Sequence, residues 1–137
     1  MTNNALAHAS LTITGEQVSP DFWTSYFDVE PDIALVKGAP IKGPSGKGFV
    51  QRRLGVWGVD SESAIHSDLL EPHLRFLIKR LGLPRPGLRA LVEQTGAKIR
   101  FFCFWVNQTG DRIPDVPDDI RVMMESLGGV IEIDEYK

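Results

Sequence analysis

Cysteine occurs once in this chain, at Cys103. A single thiol excludes an intramolecular disulfide and any cysteine-rich zinc site, and it fits a reducing compartment. Cationic charge is in short supply: 15 Lys and Arg stand against 18 Asp and Glu, giving a formal charge of -3 and a pI near 5.6. Without a basic field to attract a phosphate backbone, nucleic-acid binding is not expected. No apolar run approaches the roughly 20 residues that cross a bilayer. The opening residues, Met1 to His8, lack the basic and long apolar regions of a signal peptide. The expectation is a cytoplasmic protein with no membrane partner.

Familiar catalytic patterns are missing too. The stretch Gly38–Gly48 is rich in glycine, proline and lysine and invites a phosphate-loop reading. Counting back from Gly46-Lys47, however, puts Ile41 where the first glycine belongs, and Gly48 stands where a magnesium-binding hydroxyl is required. The stretch reads as a finger-like surface loop. Ser45 is not in a Gly-x-Ser-x-Gly elbow. Of the three histidines, His8 falls in the N-terminal tail. His66 and His73 are too widely spaced for paired ligands from one helix, and Pro72 interrupts the segment between them. They read as solvated or capping residues, so no metal and no cofactor are expected. Cys103 lies mid-strand among aromatics, where burial raises a thiol pKa and leaves it inert.

What the chain does have is a dense apolar run at Lys98–Val106. Its aromatic and β-branched residues suit a strand. Ile99, Phe101, Cys103 and Trp105 would point one way, and Phe102, Phe104 and Val106 the other. Apolar on both sides, it reads as a central strand buried on both sides. Phe102 and Phe104 together represent roughly 300 Å² or more of apolar surface, so something should cover them. The candidates are a helical hairpin, a second copy of the chain, or a ligand or foreign protein.

Residues 1–8 read as a flexible tail and 9–137 as a single domain. Ala9–Thr14 alternates as a half-buried strand. Ser19-Pro20-Asp21 is a helix start, followed by Phe22, Trp23, Tyr26 and Phe27 at helical spacing. Ile33–Val36 and Phe49–Val59 read as strands, with Gly55 and Gly58 marking a bulge or a close backbone contact. Leucines spaced through Asp68–Leu81 predict an amphipathic helix, regular from near Glu71 because Pro72 is tolerated only in a first turn. A second helix ends at Gly96. Pro117-Asp118-Asp119 opens a last helix, and Val130–Tyr136 closes the chain as a strand. The two ends echo each other as strand, short helix, strand. The expected fold is α+β: a ferredoxin-like two-layer sandwich of two βαβ halves with an inserted helical hairpin.

Two groups of residues hint at a site. Arg53 and Trp57 would share a strand face, as a recognition surface or with the tryptophan packed under a loop and the arginine stem over it. Glu132 and Asp134 share a face of the last strand about 6–7 Å apart. That separation overlaps the spacing of glycosidase carboxylates, but it equally suits solvated acids paired with Arg52, Arg53 or Arg100.

The ordered set Ile13-Thr14-Gly15-Glu16, Ser19-Pro20-Asp21, Val29-Glu30-Pro31-Asp32, Val36-Lys37-Gly38, Gly55-Val56-Trp57-Gly58-Val59, Leu69–Leu81 and Ile131-Glu132-Ile133-Asp134-Glu135-Tyr136 is similar to a bacterial family, the one catalogued as domain of unknown function 4279. The likeness spans residues 9–136. It implies a small, standalone, intracellular bacterial domain and brings no activity, cofactor or catalytic residue with it. Among the matching positions, Lys37, Trp57, Asp134 and Tyr136 are either structural or parts of one site.

The expectation is therefore a non-catalytic binding or interaction protein with no catalytic residues. An immunity-type protein that blocks a basic partner toxin is one form of it; a homodimer formed through the sheet is another. The alternative is a small-ligand or enzyme domain whose site gathers the Lys37 loop, Arg53, Trp57, Asp134 and Tyr136.

Overall fold

The computed structural model describes residues 6–38, 40–42, 49–51 and 53–137. In chain order its elements are β1 (Ala7–Gly15), α1 (Pro20–Phe27), β2 (Ile33–Leu35), β3 (Pro40–Lys42), β4 (Phe49–Gln51), β5 (Gly55–Asp60), α2 (Leu70–Leu81), α3 (Leu88–Thr95), β6 (Lys98–Val106), α4 (Asp118–Ser126) and β7 (Val130–Tyr136). The chain is α+β. Five strands form one mixed sheet in the order β2-β5-β1-β6-β7, antiparallel except for the parallel pair β6 and β7. Strands β3 and β4 pair separately, in a register that continues that of β2 with β5. Residues 39, 43–48 and 52 lie outside the described residues, and with them most of the Gly38–Gly48 loop, Ser45 and Arg52.

Local signals mark the starts of α1, α2 and α4. Pro20 sits at the first position of α1, where its missing N–H costs nothing. Pro72 lies in the first turn of α2. The N-terminus of α2 has no cap of its own, because Leu69 occupies the cap position. The Asp115 carboxylate caps it from 45 residues away, accepting from Leu70 N–H at 2.7 Å and from Glu71 N–H at 2.9 Å. Gly96, at φ 64°, ends α3 in the left-handed conformation that glycine adopts without strain.

All four helices contribute to one core together with the odd-numbered strand residues Leu11, Ile13, Trp57, Val59, Ile99, Phe101, Cys103 and Trp105. Close approach at the margin of this core requires glycine at 55, where a Cβ would run into the Val18 carbonyl oxygen. That is the backbone contact suggested by the sequence.

Three expectations change. The N-terminal strand begins at Ala7, two residues earlier than its alternation suggested, so His8 is a strand residue. The strand expected over Phe49–Val59 is two pieces, β4 and β5. Strand β6 is interior, but β1 is the middle strand, and only one face of β6 is fully buried. The helical hairpin of α2 and α3 packs with Phe101 and Trp105, not with Phe102 and Phe104, which are half-buried on the opposite face. Side chains with apolar bodies and polar tips cover them instead. The Arg100 guanidinium lies 4.9 Å from the Phe102 ring centre, and His8 and Tyr136 lie against Phe104.

The echo between the two ends is also unequal. The crossover from β1 through α1 to β2 leaves room for β5 between its strands, whereas β6, α4 and β7 form a βαβ unit of directly paired strands.

Candidate functional site

Strand register sets the composition of the helix-free face. His8, Phe104 and Asp134 form one cross-strand row, Ser10, Phe102 and Glu132 the next, and Thr12, Arg100 and Val130 a third. Phe104 and Tyr136 are 4.9 Å apart between ring centres. Tyr136 Oη donates to Asp134 Oδ2 at 2.6 Å. That bond, and the negative charge behind it, push the Tyr136 hydroxyl above its ordinary pKa. Arg100 stands over Phe102, donates to Glu132 Oε1 at 3.0 Å and reaches Thr12 Oγ1 at 3.3 Å. Glu132 is thus a surface acid paired with one of the arginines the sequence offered. The face presents a half-buried aromatic centre with a charged border.

The residues singled out in the sequence separate. Trp57 is fully buried on the helix side, stacked on Phe27 at 5.1 Å, with its Nε1–H donating to Thr24 Oγ1 at 3.0 Å. Lys37 and Arg53 are exposed on the links between β2 and β3 and between β4 and β5. Asp134 and Tyr136 lie on β7, with β6, β1 and β5 between them and β2. Of the five, Asp134 and Tyr136 are in contact, while Trp57 lies in the core on the opposite side of the sheet.

A second group gathers at the corner where β1 begins and β5 ends, and sequence reasoning missed it. Donor atoms of His8, Asp60 and Glu62 all lie within 4.8 Å of one another. His8 Nε2 is 3.9 Å from Glu62 Oε2. Backbone amides hold the acids: Glu62 N–H donates to Asp60 Oδ1 at 2.5 Å, and Asp60 N–H donates to Asp32 Oδ2 at 2.8 Å. Asp32, Asp60 and Glu62 line an open concavity of about 460 Å³. The available sequence signal was the run Ala7-His8-Ala9, which extends the alternation of β1 and puts His8 on the face of Ser10 and Thr12.

Two other features have chemistry without access or without polar convergence. Ser61 and His73 form a hydrogen-bonded pair, 2.7 Å between Oγ and Nδ1, and both are wholly buried. The Ser67 carbonyl, 2.8 Å from Nε2, can only accept, so Nε2 carries the ring proton and Nδ1 accepts from the serine hydroxyl. Ser61 Oγ in turn accepts from Ala9 N–H at 3.0 Å. No substrate reaches this pair; it ties β1 to α2. Between α2 and α4 an apolar cleft of about 400 Å³ is lined by Ile78, Leu83, Ile120, Val122 and Met123, with Arg75 and Asp119 paired beside it at 2.7 Å. The guanidinium holds the Asp119 carboxyl below its ordinary range.

These features define an α+β domain with a one-sided sheet. The chain belongs to the family described as domain of unknown function (DUF4279), whose profile matches residues 5–137. No curated protein and no solved structure matches the chain. Among the described residues, no helix is long and apolar enough to cross a membrane.

Proposed function

We propose that this is a non-catalytic bacterial intracellular domain that recognises a protein partner with the helix-free face of its sheet. The observation that supports this reading most strongly is the placement of Phe102, Phe104 and Tyr136 on that face, bordered by Arg100, Glu132 and Asp134. Aromatic residues within a charged rim are the usual composition of a protein-binding patch. Charge gives the partner a sign. Five Lys and Arg and no acid fall between Asp32 and Asp60, so the other ten cations face all 18 acids across the rest of the chain. Such a body draws in a basic protein, and an immunity-type role, masking a basic toxin, is one form of that activity.

The fold reading that accompanies this is ferredoxin-like. What supports it is the order β2-β5-β1-β6, with a helix leading from β1 to β2 and helices leading from β5 to β6; the pairing of halves differs from the two chain ends expected from the sequence, since α4 and β7 then stand as an added edge unit. Folds of this kind host many functions, so the face and not the topology supports the proposal.

The test compares retrieval of interacting proteins from the native host by the wild-type chain and by Phe102→Ser/Phe104→Ser. The expected outcome is one stoichiometric basic protein that the double variant loses. Its retention by the variant, or its loss only when Lys37 and Arg53 are replaced, overturns the face as the recognition surface. Light scattering at high concentration distinguishes a homodimer, which the same double variant would dissolve.

A further inference from the structure

We propose that His8, Asp60 and Glu62 form a binding site for a divalent transition-metal ion of the zinc class. The donor set is the first argument. A neutral imidazole nitrogen and two carboxylates are a combination that binds zinc, manganese and iron, whereas calcium and magnesium prefer oxygen alone.

Geometry is the second. Ligands about 2.0–2.2 Å from a tetrahedral zinc ion lie roughly 3.4 Å from one another. His8 Nε2 and Glu62 Oε2 are 3.9 Å apart, and all three donor groups fall within 4.8 Å. Glu62 is exposed and free to close the remaining distance.

Support around the donors is the third. The His8 ring is held flat against Phe104, at 4.5 Å between centres and 11° between planes, which fixes its plane before any ion arrives. Register places Ser10 opposite Asp60, so His8, two residues away on the same strand, faces the same side as Asp60. The Asp60 carboxylate is held in turn by the Glu62 backbone N–H, which donates to Oδ1 at 2.5 Å. This is the kind of outer contact that orients metal ligands.

Charge is the fourth. Among the described residues, the acids Glu71, Glu93, Asp119 and Glu132 pair with arginines, while Asp32, Asp60 and Glu62 form no ion pair with any Lys or Arg. Among the described residues, these three carboxylates around one concavity thus have no Lys or Arg to balance them, and a divalent ion would do so. Three protein donors leave coordination positions open to water on the concave side, which is the arrangement of an accessible site and not of a closed structural one.

The site stands or falls separately from the protein-binding role. The experiment is calorimetric titration of the full chain with zinc chloride and, in parallel, manganese chloride, with NMR of the histidine ring protons. Zinc is expected to bind one ion per chain and shift the His8 resonances; manganese is expected to broaden them. His8→Phe keeps an aromatic ring on Phe104 but removes the nitrogen, and Glu62→Gln removes a charge from an exposed side chain. Each should raise the dissociation constant by about tenfold or more, while His66→Ala should leave it unchanged. Failure of the wild-type chain to bind either ion overturns the site. So does binding that both His8→Phe and Glu62→Gln leave intact, because the ion then sits elsewhere.

Discussion

The imidazole of His8 lies flat on the ring of Phe104, joining β1 to β6 on the side of the sheet that carries no helix. It reconciles an apolar strand face with solvent: aromatic area is covered by a ring whose nitrogens remain available to water or to a ligand. Phe101, one residue before Phe102, faces the helices and is wholly buried. The two faces of β6 therefore differ in what they contribute.

That difference is measurable. Phe101→Ala should destabilise the protein by about 3–5 kcal/mol, the usual cost of emptying a packed aromatic site. Phe104→Ala should cost about 1–2 kcal/mol, because it removes a cross-strand stack and leaves the pocket open to water. Urea unfolding of both variants gives the comparison. Equal losses would mean that the face of Phe104 is as enclosed as that of Phe101.

The buried Ser61–His73 pair makes a second prediction. Ser61→Ala leaves two groups without partners, the Ala9 N–H and His73 Nδ1. The expected loss is about 1–3 kcal/mol. A double-mutant cycle with His73→Phe should show coupling, since the paired replacement removes both the donor and the acceptor. Additive losses would show that the two side chains do not act together.

Much of the fold was legible in local chemistry. Proline placement gave the starts of α1 and α2, Gly96 gave the end of α3, and the dense apolar run gave β6, but not that only one of its faces is fully buried. Long-range decisions were not legible in the same way. Nothing local to Leu69 and Leu70 indicates that Asp115 will cap their helix, and the separation of Trp57 from Asp134 depends on strand order, which periodicity does not encode. The corner group was obscured by an element boundary: with His8 assigned to a tail, its alignment beside Asp60 could not be seen.

The remote cap can be tested by itself. Asp115→Ala frees the amides of Leu70 and Glu71 and removes a negative charge from the positive end of α2. The expected destabilisation is about 1–2 kcal/mol. Asp115→Asn keeps an acceptor and should recover part of it. Hydrogen exchange should quicken most in the first turn of α2; unchanged exchange there would remove Asp115 from its capping role.

Cys103 supplies the pH-dependent prediction. Burial pushes its thiol up from an ordinary value of 9.0 to about 12, because the folded interior does not solvate a thiolate. The native protein should therefore be unreactive to a thiol reagent at pH 8 and react only after denaturation. Linkage sets the direction on stability. Below pH 9 both folded and unfolded chains keep the proton, and the contribution of the thiol is fully present. Between about 9 and 12 the unfolded chain releases the proton while the folded chain retains it, so the unfolded state is favoured and stability falls as pH rises. Cys103→Ala removes this dependence. The difference in unfolding free energy between wild type and variant should be flat at neutral pH and then decline above pH 9, with the other titrating groups cancelling between the two proteins. Rapid labelling of the native thiol at pH 8, or a difference that stays flat through the alkaline range, would place Cys103 in a polar environment and contradict the burial of this face of β6.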